Sequence, residues 1–428
     1  MKPEAPPPRP APGRPVWLQV GALLDGAADP LPDAHVVYDA AQILHVGARD
    51  RPPPAGVLGR EQREPDWRSR TATLLPGLAE AHAHLFLEGG ELDAARRAAH
   101  LKRPPAELLA DAEPRLRRLI DWGVVAVRDA GDRDGVGLAL RRRYLQPNRP
   151  PLPYLDSPGA AIHHRGRYGS FMGDPLEDQA SPRETVAARV AAGADRIKLI
   201  PTGIINFQRG AVTTEPQMTV AEIREIAETA RSFGRQSFAH ASGDAGIDRA
   251  IEGGVDSIEH GYFIRDDQLV RLAATGIAWV PTFAPVAAQL RHADRMGWDQ
   301  AVRDNLRRIL DGHAASLRRA HQLGVRIVAG SDAGSYGVPH GSGFLWEMQL
   351  MEEAGVPPAA VIRSATAAGS DRLAFREKFG RIVPGYRSRF ILASRPPLET
   401  VAHLRGERIV VFDGEPRELG AETPETGL

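Results

Sequence analysis

Apolar and polar positions follow two different rhythms along this chain. Near the beginning, VWLQVGALLDG and HVVYDAAQILHVGA are short apolar runs separated by turn residues, which predicts strands joined by turns. From TATLLPGLAEAHAHL to about residue 376 the rhythm changes. Brief β-branched apolar runs alternate with amphipathic stretches. The runs predict strands at 74–84, 124–129, 154–157, 196–200, 236–240, 257–260, 279–282 and 325–332. The stretches between them, such as TVAEIREIAETARSFG, DDQLVRLAATG and DNLRRILDGHAASLRRAHQLG, predict helices. Several end in Gly directly before the next strand, a common helix stop. Strands alternating with helices predict an α/β fold, a closed (β/α)8 TIM-like barrel. The structural rival is an open doubly wound sheet. That fold usually carries a glycine-rich phosphate turn after its first strand, where this chain has AHAHLF.

The two ends differ from the middle. GRIVPGYRSRFILASRPPLETVAHLRGERIVVFDGEP returns to short strands and turns. Residues 16–73 and 379–420 are therefore expected to form one small β-sandwich from both chain ends, around a barrel at 74–378. The proline-dense start, 1–15, reads as an extended, disordered tail, and 421–428 as a second tail. The start has no apolar core of a secretory signal. No stretch reaches the roughly 20 apolar residues of a membrane helix. The expectation is a cytoplasmic protein without a membrane partner.

Composition narrows the chemistry. The 428 residues include 54 Lys+Arg and 54 Asp+Glu, and this balance argues against a nucleic-acid partner. There is no Cys, which excludes disulfides, thiolate metal sites and cysteine nucleophiles. Any metal must be held by His, carboxylate or a modified side chain.

His82 and His84 stand two apart at the end of the first long run, so a pleated strand puts both on one face. At a barrel strand's C-terminal end that face looks into the mouth, where barrel active sites lie. With 14 His in the chain, one such pair is weak evidence alone. Lys198 in RIKLI, His240 ending QSFAH, His260 ending SIEH and Asp332 ending RIVAGSD share that strand-end position. Singly, each has a plainer reading: a hydrogen-bonded core histidine, an ion-pair lysine, a helix-capping aspartate. Six of them converging on one mouth is a different matter. An ammonium has no lone pair for a metal. Lys198 could serve as a desolvated neutral amine, or that amine could add CO2 to give an anionic, carboxylate-like carbamate.

Taken in order, LLPGLAEAHAHL, GVVAVRDAGD, DRIKLIPTG, FAHASG, VDSIEHG, AGSDAG and GRIVPGYRSR resemble the amidohydrolase superfamily, in its imidazolonepropionase-like and prolidase-like branch, from about 16 to 414. The resemblance implies a metal-dependent hydrolase of amide or peptide C–N bonds with one or two divalent ions. His82 and His84 would hold one ion with Asp332, His240 and His260 the other, and carboxylated Lys198 would bridge them. Zinc suits the donor set, with manganese, cobalt and iron open. Water acidified by the metals would be the nucleophile, and Asp332 the base that later returns the proton to the leaving nitrogen. The chain departs from the family's pattern at Glu80, where Asp is usual, and at Ala40-Ala41 and Ser388-Arg389 in the end domain.

Substrate residues are sought in the loops after the strands. AIHHRGRYGSFMGD offers His163, Arg167 and Tyr168; PTGIINFQRGAVTTEPQ offers Arg209; Tyr262 and His340 follow later strands. Guanidinium and phenol donors suit a carboxylate, so the expected substrate is a small molecule such as a dipeptide or N-acyl amino acid. Two alternatives stand beside this reading. One is a mononuclear deaminase or cyclic-amide hydrolase, although SFAHASGDAG offers only Asp244 near the strand-five histidine. The other is a non-catalytic binding protein of the same fold. A homo-oligomer stays open.

Overall fold

The computed structural model describes residues 5–27, 29–59, 62–373 and 375–421. Residues 1–4 of the expected N-terminal tail and 422–428 of the C-terminal one lie outside the described residues. The stretch 5–15 runs along the end sheet. The Trp67 indole donates to the Ala5 carbonyl at 2.7 Å, Pro7 is buried, and Ala11 and Arg14 form one antiparallel bridge.

Both chain ends share one seven-stranded sheet. Its order is Glu415–Leu419, Arg408–Phe412, Arg389–Ala393, Trp67–Pro76, Val16–Leu23, Leu31–Tyr38 and Ile43–Gly47. One core lies against it, with Leu18, Val36, Tyr38, Leu74 and Phe390 fully buried. The pairing of Trp67–Pro76 with Arg389–Ala393 ties the chain's two ends together.

The middle of the chain is α/β, with parallel strands. Leu78–Ala83, Val124–Asp129 and Tyr154–Asp156 form one sheet. A second runs Arg326–Ile327, Ala278–Val280, Ser257–His260, Gln236–Ala241, Arg196–Leu199, Ala161–His163 and Gly173–Pro175. Both borders between these sheets carry backbone hydrogen bonds. Ala81 N donates to Ala329 O at 3.1 Å and His84 N to Ala333 O at 2.7 Å, while Asp195 N donates to Ser157 O at 2.8 Å. The strands are near-continuous buried runs, as parallel strands covered on both faces must be. Helices Val220–Ser232, Asp244–Gly253, Asp266–Thr275 and Gln300–Leu323 follow the strands. Gly276 and Gly324 end the last two in the left-handed region that glycine tolerates.

Two expected strands differ in the structure. The run 74–84 divides at Gly77, so Trp67–Pro76 joins the end sheet and Leu78–Ala83 the middle. A Cβ on Gly77 would stand 2.3 Å from a Val125 methyl, so the chain crosses between the layers where no side chain fits. The run 325–332 is a strand only at Arg326–Ile327. Beyond it, a Cβ on Gly330 would come within 2.9 Å of the His82 nitrogen, and Asp332 sits at φ 56°. The backbone there follows the first strand without regular pairing.

Candidate metal centre

The strand Leu78–Ala83 and the residue after it carry Glu80, His82 and His84, all buried. Glu80 works behind the site. Its carboxylate accepts from Ser331 N at 2.9 Å, Ser331 Oγ at 2.7 Å and His82 N at 3.2 Å. These bonds lash the segment before Asp332 to the strand that carries the histidines. Asp332 N then donates to His82 O at 2.7 Å.

Each of the four histidines has one ring nitrogen occupied. His82 Nδ1 lies 2.6 Å from Glu259 Oε2, His84 Nδ1 3.1 Å from Gly131 O, His240 Nε2 3.3 Å from Gly203 O, and His260 Nδ1 2.7 Å from Thr282 Oγ1. A carbonyl or carboxylate accepts only, so the first three nitrogens donate and the opposite nitrogens keep their lone pairs. Burial holds all four below the ordinary imidazole range, His84 and His240 at about 3, so the rings are neutral at pH 7. The rings form a chain. Centroids are 5.6 Å apart for His84 and His82, 5.0 Å for His82 and His260, and 4.5 Å for His260 and His240.

Asp332 closes the set. Its Oδ1 is 3.6 Å from His82 Nε2 and 3.5 Å from His84 Nε2, while Ser335 Oγ donates to Oδ2 at 2.9 Å. His82 Nε2 and Asp332 Oδ1 are buried without a hydrogen-bond partner among the described residues. His82, His84 and Asp332 each offer a ligand atom, all within 4.8 Å of one another, a group that could hold a metal ion. Burial raises Asp332 to about 7.

Lys198 is buried on Arg196–Leu199, which pairs with the strand carrying His240, and burial lowers it to about 8. Its Nζ lies 4.7 Å from the Phe238 ring centre, and the Arg128 guanidinium carbon 4.4 Å from the same ring, so both side chains face one aromatic.

The sequence reasoning missed the layer behind the imidazoles. Glu259 is fully buried and accepts from Arg128 Nη2 at 2.6 Å and Ser257 Oγ at 2.6 Å as well as facing His82. Arg128 Nε also donates to Ala81 O at 2.6 Å. The available signal was a charged residue inside each of two apolar runs, VAVRD and SIEH, because buried charges need partners. A regular pleat sends Glu259 and His260 to opposite faces. His260 has φ 69°, and that left-handed turn brings both residues toward His82. Thr282, at φ 50°, is held in turn by the Tyr262 hydroxyl, which donates to its carbonyl at 2.7 Å.

These residues open into a cavity of about 220 Å3. His82, His84, Lys198, His240, His260 and Asp332 all line it, so the structure brings together all six strand-end residues. Of the loop residues considered for substrate, Tyr168 and Tyr262 line it as well. The other four lie elsewhere. His163 belongs to a short strand and packs against Gly173 O at 3.3 Å. Arg167 donates to Glu215 O at the exposed surface, and Arg209 lies in the turn that caps on Asn206. His340 Nε2 sits behind the site, 3.1 Å from His84 O.

A fold of parallel strands with this buried His-His-Asp group defines the class, and comparison with known proteins agrees. The chain belongs to the amidohydrolase family, whose profile matches residues 73–416, and is a hydrolase acting on carbon–nitrogen bonds. It is 25% identical over 407 residues to ochratoxinase of Aspergillus niger, covering 90% of this chain and 82% of that one. A crystal structure of a Xaa-Pro dipeptidase with methionine in its active site superposes with a TM-score of 0.78 at 25% identity, covering 95% of this chain and all of that one. The A. niger ochratoxinase structure gives 0.77 at 22% identity, covering 97% and 98%. Among the described residues no helix is long and apolar enough to cross a membrane.

Proposed function

We propose that the cavity is a divalent-metal centre for hydrolysis of an amide bond, with His82, His84 and Asp332 holding one ion and His240, His260 and carboxylated Lys198 completing a second position. The observation that carries this reading is the pair of buried, unpartnered atoms, His82 Nε2 and Asp332 Oδ1, 3.6 Å apart beside His84 Nε2. Leaving such an atom unsatisfied costs about 1–3 kcal/mol. A cation that both can bind accounts for them. Neutral imidazole and carboxylate are donors that zinc accepts. When bound, the ion supplies a Lewis acid for the scissile carbonyl and acidifies water.

The chain's own groups do the rest. Glu259 and Gly131 hold the first two imidazoles with their lone pairs facing Asp332. Ser335 holds the Asp332 carboxylate by Oδ2 and leaves Oδ1 toward the histidines. Asp332 takes one proton from water as its oxygen bonds to the acyl carbon, and returns it to nitrogen as the C–N bond breaks. The products are a carboxylic acid and an amine. Burial favours the neutral form of Lys198, whose nitrogen can bond to CO2 with loss of one proton. The bonds across both sheet borders support reading the middle of the chain as one closed (β/α)8 barrel.

Elemental analysis after loading with zinc or manganese tests the centre. Two ions per chain are expected in the wild type. Lys198→Ala should lose one of them and most of the amide hydrolysis, with partial rescue by acetate or propionate. Full metal content and full rate in that variant would refute the carbamate. One ion in a fully active wild type would favour the mononuclear alternative.

A further inference from the structure

The sequence pointed to a carboxylate clamp, and the walls of the cavity do not provide one. Above the strand ends the lining is apolar: Leu87, Tyr168, Phe171, Ile204, Phe207 and Val286. Lys198 is the one Lys or Arg among the described lining residues, and it lies with the histidines at the base. Basic side chains of the surrounding segments reach other groups. Arg167 reaches Glu215 O, Arg165 pairs with Asp178, and the His164 ring faces Glu177 at 2.7 Å. Arg97 does not line the cavity; it donates to Glu88 O and Gly334 O at 2.6 and 3.0 Å, with its guanidinium carbon 5.9 Å from the Tyr336 ring centre. The remaining polar groups on the walls are neutral: Gln289, Ser242, Ser335, the Tyr168 and Tyr336 hydroxyls, and the Tyr262 hydroxyl that is committed to Thr282 O. The Tyr336 oxygen is buried without a hydrogen-bond partner among the described residues.

Carrying a carboxylate into such walls removes its water and pairs it with no Lys or Arg of the described lining above the base, which is unfavourable. An aromatic or branched alkyl group loses nothing and gains from the burial. A neutral acceptor, such as a second carbonyl or an ether oxygen, matches the unpaired Tyr336 phenol.

We infer that the substrates of this site are neutral amides with an apolar, aryl or branched alkyl, substituent, and that free-carboxylate dipeptides and N-acyl amino acids are discriminated against. This rests on the amide-hydrolase reading above and deepens it. Ile204, at the rim and 53% exposed, is a position where a guanidinium could enter the wall without disturbing the core.

The test uses two molecules that differ by one carboxylate on the carbon bearing the amide nitrogen, N-acetylphenethylamine and N-acetyl-L-phenylalanine, with the full chain loaded with zinc or manganese. The neutral amide should be cleaved with at least tenfold higher kcat/KM. Ile204→Arg should narrow that ratio by speeding the carboxylate substrate. Preference of the wild type for N-acetyl-L-phenylalanine, or an unchanged ratio in Ile204→Arg, overturns the inference while leaving amide hydrolysis intact. If neither molecule is cleaved, calorimetric binding of both to the loaded protein still decides. Tighter binding of the neutral amide supports the inference, and tighter binding of the carboxylate overturns it. The absence of turnover counts separately against the hydrolytic reading.

Discussion

The floor of the cavity is held by directional hydrogen bonds, and its sides by apolar packing. On the floor, His82 is set by Glu259, His84 by Gly131 O, His260 by Thr282, and Asp332 by Ser335. Glu259 is itself held by Arg128 and Ser257. Disturbing one partner leaves another buried polar group unsatisfied, so the floor has one low-energy arrangement. The sides are built from Tyr168, Phe171, Ile204, Phe207 and Val286, mostly on connections between elements. Apolar exchanges of similar volume cost less than about 1.5 kcal/mol. One floor can therefore serve different walls, so the bond cleaved and the molecule that carries it are specified by separate parts of the structure.

The sharpest break in that contrast is Asp332→Asn, which keeps the shape and removes the charge and the proposed base. Amide hydrolysis should fall by roughly 10²–10⁴-fold in kcat with the fold intact, as read by steady-state kinetics and circular dichroism. A modest loss would remove Asp332 from the chemistry. Next comes Glu259→Gln, one layer behind. It leaves the Arg128 guanidinium buried without its counter-charge, which should destabilise the chain by about 3–5 kcal/mol in urea. It should also weaken metal affinity by roughly 10–100-fold through His82. Wild-type stability in this variant would mean that the floor is not rigidly held. Tyr262→Phe is milder. It keeps the apolar wall but removes the bond to Thr282 O, with about 1 kcal/mol lost and a small decrease in kcat. The smallest effect belongs to Arg167→Ala and Arg209→Ala, on the exposed loops. Stability should stay within about 0.5 kcal/mol, and kcat/KM for neutral and carboxylate amides should be unchanged. A selective loss for the carboxylate substrate would restore the clamp that the sequence pointed to.

Much of the floor was legible because a strand end is a sequence signal. His82, His84, Lys198, His240, His260 and Asp332 each follow an apolar run, and alternation of helices and strands aligns such ends. Glu259 and Arg128 were overlooked, since a lone charge in an apolar run does not say which other run holds its partner. Of the loop residues, Tyr168 and Tyr262 lie in the lining, whereas His163, Arg167, Arg209 and His340 do not. Arginine and histidine in a loop have several acceptors within reach, and composition cannot choose among them. Tyr262 reached the site in a way the sequence does not encode, with its hydroxyl committed to the Thr282 backbone.

The order of apolar runs and the polar residues that end them pointed to the α/β class and to the side chains at the strand ends, because local periodicity is written along the chain. The hydrolase family came from the resemblance of the ordered motifs. Only the tertiary structure decided the tautomers of His82, His84 and His240, the buried Arg128–Glu259 pair behind them, the left-handed turns at His260, Thr282 and Asp332, and the largely apolar walls above. Each of these depends on contacts between segments far apart in sequence, where a hydrogen bond or a charge finds its partner only after the strands have come together.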